Sequence, residues 1–228
     1  MQLPEAEEVK GGTLPAFRWT TFDLTGQLPG EWQSAIGAAA ATAQFDGFPR
    51  TPILSREARE VAHIYRGRVR ADQVRQRLPW LYGFYRGQFL ELANQACAEK
   101  VTPASDDRYG LVLNVQRGTE MRFECHIDSN PLTGLLFCTD HPAGAGGELV
   151  FGRDPAAADQ AAIDRDCSII RPHLSYLIFF DGRYHPHYAR ALTSTEDMRV
   201  VAVMNYYTKS YPESTRPKEL NRHLFGGD

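Results

Sequence analysis

With 228 residues the chain is long enough for one large domain or two small ones, and one is expected, because all-β units of this size commonly stay undivided. A formal net charge of -3, with 43% hydrophobic and 23% charged residues, removes any electrostatic case for nucleic acid or an anionic membrane and leaves a small-molecule partner. Apolar runs are short, the start Met1-Gln2-Leu3-Pro4-Glu5 has neither a basic region nor an apolar signal core, and a cytoplasmic location is the expectation; oligomeric state stays open.

Residues 1 to 16 hold Glu5, Glu7, Glu8, Gly11, Gly12 and two prolines, a composition for a loosely tethered lead-in, so packed structure is expected from about Phe17. Glu31 to about Phe45 has helical character and ends at Phe48-Pro49-Arg50-Thr51-Pro52. A second helix is expected from Ser55, as N-cap, to His63, and a third from about Arg70 to Pro79. Trp80 to Lys100 places Leu81, Phe84, Tyr85, Phe89, Leu92, Ala93 and Ala96 at near-helical spacing, an aromatic stripe that suits packing on a sheet. The length of 17–100 also suggests a lid over a closed pocket.

After Pro103 the pattern changes to short β-like runs: Tyr109 to Gln116, Met121 to His126, Leu132 to Thr139, Glu148 to Phe151, Ser175 to Asp181 and Val200 to Thr208. Strands of this length and spacing suggest a sandwich or jelly roll. The alanine-rich insert from Ala156 to Ala162 reads as a surface turn of helix, and the tail after Tyr211 as polar and only partly packed. Cys97, Cys125, Cys138 and Cys167 are widely spaced, without a C-x-x-C pair, and read as reduced core residues; Cys125 as a metal ligand is disfavoured because it would face away from His126 on a strand.

If Met121 to Asp128 is a strand, alternation puts Arg122, Glu124, His126 and Asp128 on one polar face. His126 and Asp128, two residues apart, can then reach one ion, and two histidines with one carboxylate are the facial ligand set of non-haem Fe(II). The third ligand has four candidates, His187, His185, His173 and His141; His187 is preferred because Tyr188 to Leu192 leads away from it as a strand would. On the run from Arg199 to Tyr207, alternation aims Arg199, Val201, Val203, Asn205 and Tyr207 to one side. Asn114 and Gln116 share a face of their strand as hydrogen-bonding candidates, Arg122, Glu124 and Asn205 are candidates for substrate, and Arg50 and Arg66 in the helical region are further cations that solvent can satisfy.

The order H-x-D, strand, Gly146-Gly147-Glu148-Leu149 turn, apolar Leu177-Ile178-Phe179-Phe180 and distal histidine resembles the Fe(II)/2-oxoglutarate-dependent oxygenase family over about residues 109 to 208. The resemblance implies an all-β core with flanking helices (α+β): a double-stranded β-helix (jelly roll, cupin-like) at about 105–210 behind a helical support region at about 17–100. It implies Fe(II) on His126, Asp128 and His187, 2-oxoglutarate as cosubstrate with O2, and Arg199 on the far carboxylate of 2-oxoglutarate, one residue later than the usual interval after the histidine. Asn114 and Gln116, from their shared strand face, are then candidates to donate to 2-oxoglutarate or its metal-binding end.

The text from His126 to Phe137 and from His187 to Arg190 is similar to small bacterial enzymes that halogenate or hydroxylate free amino acids such as lysine. Halogenating members replace the carboxylate with a small residue, so Asp128 implies hydroxylation of an unactivated C–H, with the exact substrate, carbon and stereochemistry open. The alternatives are a peptide, protein or carrier-bound substrate, desaturation or ring closure, and a non-catalytic jelly-roll metal-binding or sensor protein.

Overall fold

The computed structural model describes residues 8–10, 17–48, 64–218 and 220. Two antiparallel sheets carry the structure. Across the larger run β2 (Thr20–Asp23), β10 (Tyr176–Phe180), β7 (Leu132–Phe137), β12 (Met198–Thr208), β6 (Leu111–Arg117), β4 (Ile64–Val69) and β3 (Gln44–Phe48), and β5 (Val101–Pro103) pairs with the end of β12. The smaller has the order β1 (Glu8–Lys10), β9 (Cys167–Ile170), β8 (Leu149–Gly152) and β11 (His187–Ala189). The described strands do not close into a barrel.

Alternation along β12 explains how one strand serves two purposes. Val200, Ala202, Met204 and Tyr206 join the core on one side of the larger sheet, where α1 (Trp32–Ala40), α2 (Ala71–Arg77), α3 (Pro79–Arg86) and α4 (Gln88–Ala96) cover it. Arg199, Val201, Val203 and Asn205 face the other way and line a cavity. A second apolar cluster joins the two sheets: Leu135 and Phe137 of β7, Ile178 and Phe180 of β10, Leu149 and Phe151 of β8, and Ile170 of β9, with Phe17 stacked on Phe151 at a centroid distance of 3.8 Å.

The aromatic stripe packs on the sheet as its spacing predicts. Leu81, Tyr85, Phe89 and Ala93, each four residues apart, are all at most 1% exposed. Tyr85 donates its hydroxyl to the main-chain oxygen of Asn205 at 2.8 Å, and Tyr206 returns a bond to Tyr85 O at 3.1 Å. The stripe lies on two helices instead of one, because Gly87 leaves helical geometry (φ -120, ψ -101) and starts a new turn. These helices occupy the side of the sheet opposite the cavity, as the support expected of this region, and do not form the lid that its length suggested; residues 49–63 lie outside the described residues.

Other expectations are corrected in detail. The first helix ends at Ala40, and Gln44–Phe48 is a strand, where Phe45 has a neighbour, Gly67, to pair with across β4. The expected helix from Ser55 to His63 lies outside the described residues, as do Arg50 and the side chain of Arg66. Met121 to Asp128 is not a strand; it touches β11 through a single bridge, His126 opposite His187, so strict alternation fails there. The helical turn of the insert begins later, as α5 (Gln160–Arg165), because Asp159 caps it by accepting from Ala162 N at 2.7 Å. The lead-in is not wholly unpaired, since Glu8–Lys10 forms the edge strand β1 against β9. No helix among the described residues is long and apolar enough to cross a membrane.

Candidate metal centre and active-site cavity

His126, Asp128 and His187 converge, with one potential ligand atom from each lying within 4.8 Å of the others. Both histidines present Nε2 to the same carboxylate oxygen, Oδ1 of Asp128, each at 3.7 Å. These spacings are too long for direct hydrogen bonds and leave room for a shared ion.

Each histidine is held in the same manner. Nδ1 of His126 lies 2.7 Å from Glu124 O, and Nδ1 of His187 lies 2.8 Å from His185 O. A carbonyl can only accept, so Nδ1 carries the proton and Nε2 keeps its lone pair for a cation. The other oxygen of Asp128, Oδ2, accepts from Thr133 Oγ1 at 2.6 Å, and Thr133 also accepts from Asn130 Nδ2 at 2.9 Å. His187 is 3% exposed, with its ring against Phe151 at 4.7 Å and Phe180 at 5.8 Å. His185, the main alternative, turns to Phe17 and places Nδ1 3.2 Å from Gly152 O, while His173 pairs with Asp140 and His141 with Thr139.

Gly182 completes the centre. A Cβ at this position would stand 2.5 Å from Oδ2 of Asp128 and 2.8 Å from Cε1 of His187, so only glycine lets this loop approach. Its carbonyl accepts from Asp128 N at 3.1 Å, which fixes the backbone of the carboxylate. Neither Thr133 nor Gly182 carried a sequence signal: the bond from Thr133 to Asp128 needs the turn into β7 to fold back, and the Gly182 contact exists only once the loop after β10 meets Asp128 and His187.

Arg199 stands in the same cavity and is 1% exposed. Nη1 donates to Gln116 Oε1 at 2.9 Å, whereas the buried Nε has no hydrogen-bond partner. Burial pulls its pKa down to about 10, so it remains a cation at neutral pH. Gly147, at φ +77, keeps clear of it: a Cβ there would lie 2.9 Å from Arg199 Cδ.

The remaining candidates separate. Asn114, Glu124 and Asn205 line the cavity, whose volume is about 150 Å3. Gln116 does not; it stands behind Arg199 and donates from Nε2 to Met121 O and Arg190 O at 3.2 and 3.0 Å. Arg122 also lies away from the cavity, because its segment is not a strand: its guanidinium faces the side-chain amide of Gln160, whose oxygen, turned to accept, lies 2.7 Å from Nε and 2.9 Å from Nη1. Asn205 donates from Nδ2 to Tyr109 O at 2.6 Å. Cys125 is fully buried among apolar residues with Val150 and Tyr188, outside the converging group of His126, Asp128 and His187.

Fold and site together define a class: two facing antiparallel sheets that hold a His-x-Asp and distal histidine cluster at one end, beside a buried arginine. No protein-family model matches the sequence, and no curated protein does. Solved structures match in fold. The non-haem α-ketoglutarate-dependent epimerase SnoN from nogalamycin biosynthesis is similar at a TM-score of 0.61 and 14% identity, over 93% of this chain and 87% of that one. SnoN has also been solved with Fe3+, α-ketoglutarate and nogalamycin RO. The carbocyclase SnoK from the same biosynthesis matches at 0.57 and 15%, over 83% and 79% of the two chains. A prolyl hydroxylase from Trichoplax adhaerens, in complex with a hypoxia inducible factor peptide fragment, matches at 0.51 and 12%, over 87% of each. The fold is thus the one these three enzymes share.

Proposed function

We propose that this protein is an Fe(II)- and 2-oxoglutarate-dependent oxygenase that hydroxylates an unactivated C–H of a small molecule, a free amino acid such as lysine. One observation carries the reading: a fully buried guanidinium whose Nε lacks a partner shares one small cavity with a three-ligand cluster whose Nε2 atoms are both set to receive a cation. A buried, unsatisfied charge is costly, and a carboxylate at Arg199 would remove the cost. The residues present therefore fit both groups.

His126, Asp128 and His187 would hold Fe(II) on one side, leaving positions for cosubstrate and oxygen. Arg199 would bind the far carboxylate of 2-oxoglutarate, and Gln116 would keep the guanidinium in place. When bound, iron and 2-oxoglutarate supply oxidation of a C–H bond by O2, coupled to release of succinate and carbon dioxide. The chain contributes position and exclusion of water, with Phe180, Leu135, Leu149 and Val201 as the apolar wall. Retention of Asp128 supports hydroxylation over halogenation.

The fold likeness to an epimerase and a carbocyclase favours a second outcome at the same site, hydrogen removal without oxygen transfer. The likeness to the prolyl hydroxylase favours a peptide substrate. The test is succinate release with Fe(II), 2-oxoglutarate and O2 across free amino acids, with mass spectrometry on each. One added oxygen atom with matching succinate supports hydroxylation, and succinate without an added oxygen supports epimerisation or ring closure. Slow, substrate-independent succinate moves attention to peptide or carrier-bound substrates, and no succinate favours a binding protein.

A further inference from the structure

One end of the cavity lies beyond Arg199 along the strands. Register places it: Arg199 pairs with Gln116, and two residues along the strands Val201 pairs with Asn114, which pairs in turn with Arg68 of β4. Arg68 and Asn114 are therefore neighbours on the cavity face, about 7 Å along the strands from the Arg199 row.

The C-terminal segment after β12, expected to pack only partly, brings another guanidinium to this end. Glu213 latches it down, accepting from Ser105 N at 2.9 and 3.1 Å, Ser105 Oγ at 2.7 Å, Asp106 N at 3.3 Å and Tyr109 Oη at 2.7 Å. Three residues on, Arg216 lies over the Tyr109 ring at 3.8 Å and donates from Nη1 to Ser129 Oγ at 3.0 Å. Ser129 follows the ligand Asp128, so the strap sets a cation beside the metal centre, and Leu220 closes the wall behind it.

Asn114 supplies the complementary chemistry. Its Oδ1 is buried and has no hydrogen-bond partner. The oxygen needs a donor, and 2-oxoglutarate as a dianion offers only acceptors, so the cosubstrate cannot satisfy it. A substrate with an amino group can, and Glu124 on the same cavity adds a carboxylate suited to that group.

We propose that Arg216 of the C-terminal strap, together with Arg68, binds the carboxylate of a free amino acid whose amino group donates to Asn114 Oδ1. The assignment rests on the oxygenase reading and names how that site selects its substrate. A guanidinium presents a planar fork of five donors matched to a carboxylate, so Arg216 can bond Ser129 and substrate together.

The test uses the full chain with Fe(II), 2-oxoglutarate and O2, and measures succinate with each free L-amino acid and with its carboxamide. At least one amino acid is expected to raise succinate release above the substrate-free rate, with its amide about tenfold or more lower in kcat/KM. Arg216→Gln is expected to raise KM for that acid by about tenfold or more with a smaller effect on kcat, and Arg216→Lys to recover part of the loss. Arg75→Gln, altering an exposed pair with Asp107, should leave both constants as they are. Equal stimulation by acid and amide, no stimulation by any amino acid while substrate-free succinate persists, or an unchanged KM in Arg216→Gln would each overturn the assignment alone. Absence of succinate from the wild type in every arm would remove the oxygenase reading as well.

Discussion

Arg199 donates to Gln116 at 2.9 Å, and the amide of Gln116 is itself held by the main-chain oxygens of Met121 and Arg190. These two carbonyls lie on the segments that carry His126 and His187. Gln116 therefore ties the cation to both histidine-bearing segments, so one side chain joins the guanidinium to the residues that would hold a metal.

Arg199→Ala should weaken 2-oxoglutarate binding by about tenfold to a hundredfold, from a charge-assisted bond of about 1.5–3 kcal/mol, with little effect on Fe(II) affinity. Gln116→Leu should weaken the cosubstrate less, because the charge remains and only its aim is lost. Titration of each ligand against the other at saturation separates the two effects; equal loss of both affinities would contradict the arginine assignment.

His187→Ala should abolish turnover and reduce Fe(II) binding. His185→Ala should cost about 1 kcal/mol of stability, from its contacts with Phe17 and Gly152 O, and retain turnover. Metal content by elemental analysis, read beside succinate release, decides the pair, and the reverse pattern would transfer the ligand to His185.

Thr133→Val removes the bond that holds Oδ2 of Asp128 and leaves the volume nearly unchanged. Fe(II) affinity should fall by about tenfold to a hundredfold, as for other outer partners of metal ligands. Gly182→Ala should be more severe, since its Cβ would meet both Asp128 and His187. Competition with a metal-responsive chelator measures both; a Gly182→Ala variant with wild-type affinity would show that the loop yields.

Burial, with Arg199 as the second cause, holds His141 below its ordinary value of 6.5, so it is neutral in the fold at neutral pH. As pH falls below 6.5 the unfolded chain takes up a proton that the folded chain resists, and stability is lost until the folded value is passed. Denaturant melts at a series of acidic pH values should show a shallower decline in His141→Gln than in the wild type. Parallel declines would assign the loss to other groups.

Cys97 is the one half-buried cysteine, while Cys125, Cys138 and Cys167 are buried. Burial pushes the Cys138 thiol up to about 12, far from the reactive thiolate. A thiol reagent should therefore modify one site per native chain, at Cys97, and all four after denaturation. Mass spectrometry with peptide mapping reads the result.

Much of the site was legible in sequence because its chemistry is local or periodic. His126 and Asp128 stand two residues apart, and alternation along Arg199 to Tyr207 predicted five residues on one side, of which Arg199, Val201, Val203 and Asn205 line the cavity, while Tyr207 packs with Ala104 and Tyr109 instead. Alternation misled at Arg122 because Met121 to Asp128 makes only isolated bridges, leaving its side chains free of a strand's two-sided rule. The stripe packs on the sheet as read, but the lid suggested by the length of 17–100 is not made by these helices: an apolar stripe shows that a helix packs, not which face of a sheet receives it.

The types and spacing of the candidate ligands, the apolar stripes and the alternation of the strands can be read from the chain itself, since each depends on residues near one another. Tertiary structure alone decided that Thr133 and Gly182 brace Asp128, that Gln116 stands behind Arg199, and that Arg216 comes back to the cavity mouth. These contacts join positions as far as 87 residues apart, and their partners are chosen by sheet register and loop closure, which no local pattern encodes.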